Sequence, residues 1–447
     1  MVKMRKQIIF WIWGICAYFS LGFVHNAQAN TLDLQDHIDR AQEGATIQLK
    51  QGVYKGPITI TKPITIRGEP GVVIDGGQRG NVITISTDHV TLSDLTILHS
   101  GKGNEVSGIF LNKANHVHLV NNHLENVHFG IYIKNGTNNE VVGNVIKSYD
   151  DHFSARGNGI HIFKGKDNRI ANNEIRQVQD GIYFDFSTEV EVTHNVIVDS
   201  RYGMHFMYSN HITATNNVIK RNITGLMVMD SSNITFLDNA ISEQFHFRGF
   251  GVLIYQSKNI LLKQNEIIRN SVAVSFEKAE NTEVSRNIIA ANQVGLEFRR
   301  ENKNNLFFEN NFVANILSAN VGNTSLSLDN GEKGNYWDDY RSFDITGDLI
   351  GEIPYKAGSI YDHLLQRQPL WQFFFESPAI QIWSRAETMF PSFGVAEVYD
   401  NKPFVEPLDL KRNGEIKENN RSFSLLLLSL TLIGSALLII YKGRKYR

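Results

Sequence analysis

The chain has 447 residues, 42% of them apolar and 20% charged, which is enough to bury a large core and excludes both a disordered polymer and a protein embedded in lipid along its length. Setting aside seven basic residues at the two ends (Lys3, Arg5, Lys6, Lys442, Arg444, Lys445 and Arg447) leaves 37 basic against 46 acidic side chains, a net charge of −9. That balance argues against nucleic acid as a general ligand. The single cysteine, Cys16, lies in the N-terminal apolar run, so the rest of the chain uses neither disulfides nor thiolate metal ligands.

In chain order, Met1-Val-Lys-Met-Arg-Lys6 precedes an apolar run from Ile8 to Val24 and then Ala27-Gln28-Ala29. Charge, apolar core and small residues in that order predict a signal peptide over 1–29, cleaved after Ala29. Thr31 to Glu43 carries Leu34, Ile38 and Ala41 at helical spacing, which predicts a short helix capping an open apolar end. From Ala45 to Gly77 come short β-type runs, among them Pro63-Ile-Thr-Ile-Arg-Gly68.

A repeat then takes over. Asn-x-apolar returns at Asn122, Asn144, Asn173, Asn195, Asn217, Asn239, Asn265, Asn287 and Asn310, in steps of 22, 29, 22, 22, 22, 26, 22 and 23 residues. Gly-apolar-x-apolar follows the same steps at Gly108, Gly130, Gly159, Gly181, Gly203, Gly225, Gly251 and Gly295, with Ala273 in the missing place. Three short apolar runs of period two per unit, such as Ile182/Phe184, Val190/Val192 and Val196-Ile197, predict an all-β, right-handed parallel β-helix of about 22 residues per coil over 30–330. Both ladders read as scaffold, the asparagines stacking at a bend and the glycines marking close backbone approach. A C-terminal cap and partner-facing extension is expected over 331–410 and a linker over 411–422. The uncharged run 423–441, about 28 Å long as a helix, is expected to cross the membrane. The basic tail 442–447 then places that end in the cytoplasm and all before it outside.

The runs Thr46-Ile-Gln-Leu-Lys-Gln-Gly-Val-Tyr54 and Val72-Val-Ile-Asp-Gly76 resemble the N-terminal coils of the pectate-lyase-like, carbohydrate-binding and sugar-hydrolase superfamily. Gly334-Asn-Tyr-Trp-Asp-Asp-Tyr340, with Asp344, Gly347-Asp348, Gly351, Ile353-Pro-Tyr355, Asp362 and Pro369-Leu370, resembles the closing signature of the NosD family. The resemblance implies a periplasmic, non-catalytic accessory protein for nitrous oxide reductase. It further implies copper as a transient cargo, held as Cu(I), and several partners: the membrane and ATPase subunits of an ABC transporter, the reductase apoprotein, a copper donor chaperone and the membrane itself.

In each glycine strand the x residues face outward and stack into two columns. The first runs Phe110, Tyr132, His161, Tyr183, His205, Met227, Leu253, Ser275, Glu297; the second runs Asn112, Lys134, Phe163, Asp185, Met207, Met229, Tyr255, Glu277, Arg299. Outward ladders are normally polar, so this run of aromatics, histidines and methionines is expected to form an exposed patch that meets a ligand or partner. His205 and Met207 on one coil, with Met227 and Met229 on the next, are the expected metal ligands, because thioether and imidazole donors together favour Cu(I). Methionine also serves as adaptable contact surface, and that alternative stays open. His161, Phe163, Tyr183 and Tyr255 are expected partner contacts, joined by His152 and His246 in the loops that the irregular steps reveal.

An enzyme remains the competing reading. Lyases and epimerases on such a fold need a base and a group that neutralises the substrate carboxylate, and Asp150, Asp151, Asp180 and Asp185 are the available acids. No outward carboxylate ladder with an adjacent arginine or lysine stands out, so no catalytic or cofactor-binding residue is assigned.

Overall fold

Asparagine, glycine and a period of 22 build the same unit again and again: a strand opened by the glycine, a corner, a second strand, the asparagine corner, a third strand and a third corner. The computed structural model describes residues 32–149, 152–247, 249–320, 326–357 and 398–410, with Ser377 and Ile382. The chain divides into two compact units, one ending at Asn210 and the other beginning at His211. Each is a length of right-handed parallel β-helix with about 22 residues per coil.

In the first unit the helix Leu34–Arg40 is capped by Asp33, whose side chain accepts from the Asp36 amide, and it turns Leu34 and Ile38 into the core. The glycine strands then stack in register: Ile109 on Ile131, Ile131 on Ile160, Ile160 on Ile182, Ile182 on Met204, all fully buried. In the second unit the glycine strands run from Thr224–Met229 to Leu317–Asn320, with Phe276 stacked on Phe298 at 5.1 Å.

The asparagine ladder is a hydrogen-bonded column. Each Oδ1 accepts the backbone N–H of the asparagine one coil earlier, as from Asn122 to Asn144 (2.9 Å), Asn144 to Asn173 (2.9 Å) and Asn173 to Asn195 (3.0 Å), while each Nδ2 donates to carbonyls. The residue just before it adopts a left-handed backbone, as at Asn121, Asn172 and His194, which turns the chain sharply and points the asparagine's own N–H at the next Oδ1. A second ladder of the same kind occupies the third corner of the second unit, through Asn222, Gln244, Asn270, Asn292 and Asn315.

The glycines are required where coils touch. A Cβ at Gly181 would overlap the Gly203 carbonyl oxygen and Cγ2 of Ile197. Overpacking of this kind costs about 1–3 kcal/mol, so Gly181→Ala is expected to lower the urea midpoint without changing its slope. An unchanged midpoint would show that the coils can part at no cost.

The closing signature ends the second unit. Asn335 takes the ladder one step past Asn310, and Trp337, fully buried, stacks on Phe312 at 4.1 Å and on Tyr355 at 4.6 Å. Val398–Asp400 pairs with Leu326–Ser327 and Tyr355–Ala357, which brings the Asp400 carboxylate onto Asn335 and Trp337. Gly334 has no room for a side chain because that carboxylate occupies the space.

Among the described residues no helix is long and apolar enough to cross a membrane. The signal peptide expected over 1–29 and the membrane helix expected over 423–441 lie outside the described residues, as does nearly all of the extension between 358 and 397.

Candidate metal centre on the glycine sheet

The outward columns form as the period predicts within each unit. In the first, Phe110 pairs with Tyr132, Tyr132 with His161, His161 with Tyr183 and Tyr183 with His205; alongside, Phe163 pairs with Asp185 and Asp185 with Met207. In the second, Met227 pairs with Leu253 and Met229 with Tyr255.

The expected exposure needs correction. Tyr132, His161, His205 and Met227 face outward, yet each is buried, while Phe163, Tyr183, Met207, Met229 and Tyr255 are half-buried. The cause in the first unit is the stack itself: ring centroids step by 4.4 Å from Tyr132 to His161, 4.7 Å to Tyr183 and 4.5 Å to His205, so the rings cover one another's faces.

Beneath His205 lies a carboxylate that the outward columns do not contain. Asp180, 1% exposed, accepts Nδ1 of His205 at 3.0 Å on Oδ2 and is gripped by Arg201 through Nε (2.8 Å) and NH2 (2.7 Å). Burial alone would raise its pKa, but the hydrogen bonds from His205 and Arg201 and the guanidinium charge outweigh it and hold the group below the usual carboxylate range. Burial would likewise depress Arg201, and the bonds and charge of Asp180 instead push it up. The guanidinium also lies over the Tyr202 ring at 4.4 Å, and Tyr202 meets His205 edge-on at 5.1 Å.

The soft donors sit beside this clamp. Met207, two residues along the strand from His205, accepts a hydrogen bond on sulfur from the Tyr183 hydroxyl at 3.2 Å. Burial, reinforced by the charges of Asp185 and Asp180, pushes the Tyr183 phenol up to about 12, so it remains a donor at neutral pH. Nε2 of His205 is buried and has no hydrogen-bond partner among the described residues. A buried imidazole nitrogen left bare, with its other nitrogen held by a carboxylate, is the arrangement of a metal-ligating histidine, and a thioether next to it suits a soft cation. Among the described residues no three His, Cys, Asp or Glu side chains gather as a metal cluster.

His161 is kept apart from that set. The Tyr183 ring lies between it and His205, and burial lowers its pKa to about 4 against the opposing pull of Asp180, leaving it neutral. His152 caps the turn Phe153–Ala155 and packs on Phe153 at 4.1 Å; His246 packs on Phe247 at 4.5 Å. Both are exposed on their inserted loops.

Arg201, and the contact of Asp180 with His205, are what reading the columns missed. Alternation gives Asp180 the parity of the core residues Ile182 and Phe184, so it falls outside both columns; a charged residue at an inward position was the signal available. As for the catalytic alternative, Asp150 and Asp151 lie outside the described residues, and the Arg201 guanidinium is spent on Asp180, where a uronate-binding site would need it free.

Residues 143–342, which hold this whole cluster and the start of the closing signature, match the family described as periplasmic copper-binding protein (NosD). The chain is NosD-like. Its relatives include two proteins named "Probable ABC transporter binding protein NosD": one from Stutzerimonas stutzeri, 29% identical over 80% of this chain and 86% of the relative, and one from Pseudomonas aeruginosa, 28% identical over 82% and 89%. Among solved structures, the A-module of mannuronan C-5 epimerase AlgE6 from Azotobacter vinelandii is 16% identical, covering 66% of this NosD-like chain and 93% of its own, with a TM-score of 0.48. Pectate lyase Pel9A is 15% identical over 57% and 74%, with a TM-score of 0.47.

Proposed function

We propose that this chain is a copper-binding accessory protein of the cell envelope that works with an ABC transporter and passes copper, as Cu(I), to the apoprotein of nitrous oxide reductase. The observation that carries the reading is the bare, buried Nε2 of His205, whose Nδ1 is held by Asp180, with the Met207 thioether two residues along the same strand. Support from outside the geometry comes from the copper-binding description of the matching family and the transporter named in its relatives. Met227 and Met229 are proposed as further donors from the 22-residue period alone. His161, Phe163, Tyr183, Tyr255, His152 and His246 are proposed as contacts for the partners: the transporter's membrane and ATPase subunits, the reductase apoprotein and a copper donor chaperone.

In this reading copper is cargo. His205 offers the nitrogen and Met207 the sulfur, while the Tyr183 hydroxyl on that sulfur weakens its donation, which suits a site that must release what it takes. The division into a leader at 1–29, a solenoid, a cap at 331–410, a linker and an anchor at 423–441 is proposed with it, placing the solenoid on the outer face of the cytoplasmic membrane.

Anaerobic Cu(I) titration against a competing chelator tests the site. Replacing His205, Met207, Met227 and Met229 together is expected to take binding out of the chelator's range. Unchanged affinity would remove these residues from the copper path. Incubation with uronate polymers is expected to release no product, and robust release would restore the enzyme reading.

A further inference from the structure

The glycine sheet of the first unit carries two buried imidazoles, His161 and His205, each 8% exposed and each with an Nε2 that has no hydrogen-bond partner among the described residues. Alike in burial, they differ in what fixes the other nitrogen. Asp180 is an ionised carboxylate and can only accept, so the Nδ1 of His205 that meets it at 3.0 Å must carry a proton. In a neutral ring the proton on Nδ1 leaves Nε2 as a bare lone pair.

For His161 the ring nitrogen is fixed through Asn158. The backbone amide of Asp180 is a donor without ambiguity, and it points at Oδ1 of Asn158 at 3.2 Å. That contact fixes which end of the side-chain amide is oxygen, so the nitrogen end, Nδ2, faces Nδ1 of His161 at 3.3 Å. Nδ1 of His161 therefore accepts, and the ring proton sits on Nε2. Its strongly lowered pKa agrees with a ring that stays neutral. Asp180 thus sets both states, one through its carboxylate and the other through its backbone N–H.

We propose that His161 and His205 are held in opposite tautomers, so that His205 is the one imidazole of this pair that can donate to a metal, Asp180 is its positioning residue, and His161 presents an N–H that no cation can use. The donor half of this statement rests on the copper reading above; the tautomers do not. Arg201 completes the device by holding the carboxylate with two bonds, so that the Asp180 oxygen facing His205 cannot swing away. The half-buried Tyr183 ring between the two imidazoles keeps one ion from bridging them.

Long-range 15N–1H NMR on the full chain with labelled histidine reads each ring nitrogen, and Ag(I) serves as a diamagnetic probe for Cu(I). The expected spectrum shows a bare Nε2 at His205 and a bare Nδ1 at His161, with only the His205 Nε2 resonance moving when Ag(I) is added. Asp180→Asn is expected to mix the tautomers of His205 and weaken Cu(I) about 10- to 100-fold, the range for losing the group that orients a ligand. Asn158→Leu changes no atom that His205 itself contacts, and it is expected to mix the tautomers of His161 while His205 keeps its own tautomer and its Cu(I) affinity, so the assignment stays testable even where Asp180→Asn fails to fold. A proton on both nitrogens of His205, or an Ag(I) shift at His161, overturns the proposal. Tautomers as assigned with no Ag(I) shift at either ring would overturn the copper reading and the donor role together, leaving the tautomers standing.

Discussion

Asp400→Ala is expected to cost about 3–5 kcal/mol of unfolding free energy, among the largest losses any single substitution should cause in this chain. The carboxylate is fully buried and collects four hydrogen bonds: from Trp337 Nε1 at 2.9 Å, the Asn335 amide at 2.7 Å, Asn335 Nδ2 at 3.2 Å and the Lys402 amide at 3.0 Å. Alanine leaves these donors in a cavity, and Trp337, packed between Phe312 and Tyr355, cannot turn to water. Denaturant unfolding of the second unit, followed by tryptophan fluorescence, measures the loss; a change under about 1 kcal/mol would mean that the end of the solenoid closes without the clasp. The effect also carries a pH signature. Burial pushes Asp400 up to about 6, with the hydrogen bonds from Trp337 and the backbone pulling the other way. A folded value above the unfolded one makes the carboxyl's contribution greatest below about pH 4, falling as pH rises to about 6 and level beyond. The difference between the native chain and Asp400→Ala should narrow across that window.

Asn173→Ala should cost a similar amount, about 3–5 kcal/mol, in the first unit. Its Oδ1 accepts both the backbone N–H and Nδ2 of Asn144, and its Nδ2 donates to the Val141 carbonyl at 2.8 Å and to Asn195 Oδ1 at 2.9 Å. Every one of these groups is buried at a corner where the preceding residue, Asn172, is already left-handed. Asn173→Asp keeps an acceptor but sets a buried negative charge against Asn195 Oδ1, so it should not rescue stability at neutral pH. Rescue by aspartate would show that the column is held by acceptors alone. The measurement is the urea midpoint of each variant, with far-ultraviolet circular dichroism confirming that the sheets are retained.

The β-helix was legible because its signals repeat. A glycine at Gly181 and an asparagine at Asn195 say little alone; at a fixed step they give parity, and parity correctly placed His161, Tyr183, His205 and Met207 in outward columns. What periodicity does not report is cover. Outward in a strand was equated with exposed, and the stacking of large rings on adjacent coils broke that equation at Tyr132, His161 and His205. Asp180 stood only among the acids of the enzyme reading, and its place beside His205 was missed for a related reason: the two are 25 residues apart, and the carboxylate meets His205 at a phase that neither column contains. The Asp400 clasp was less legible still, since 65 residues separate it from Asn335 and no repeat connects them.

The two inserted loops share a corner, the one between the third strand of a coil and the glycine strand of the next. At that corner the second unit holds Asn222, Asn270 and Asn292 but Gln244 in the coil with the insertion, and the first unit holds Val127, Val178 and Ser200 but Tyr149 in the coil with the insertion. Tyr149 and Gln244 are longer, and both reach back across the coil: the Tyr149 hydroxyl to the Ser100 carbonyl, and Gln244 to the Asn222 amide and the Ile219 carbonyl. The closing bond is thus made before the extra residues begin. An edge built this way can lengthen in evolution, or accept a grafted epitope, without disturbing the register of the wall that carries His205.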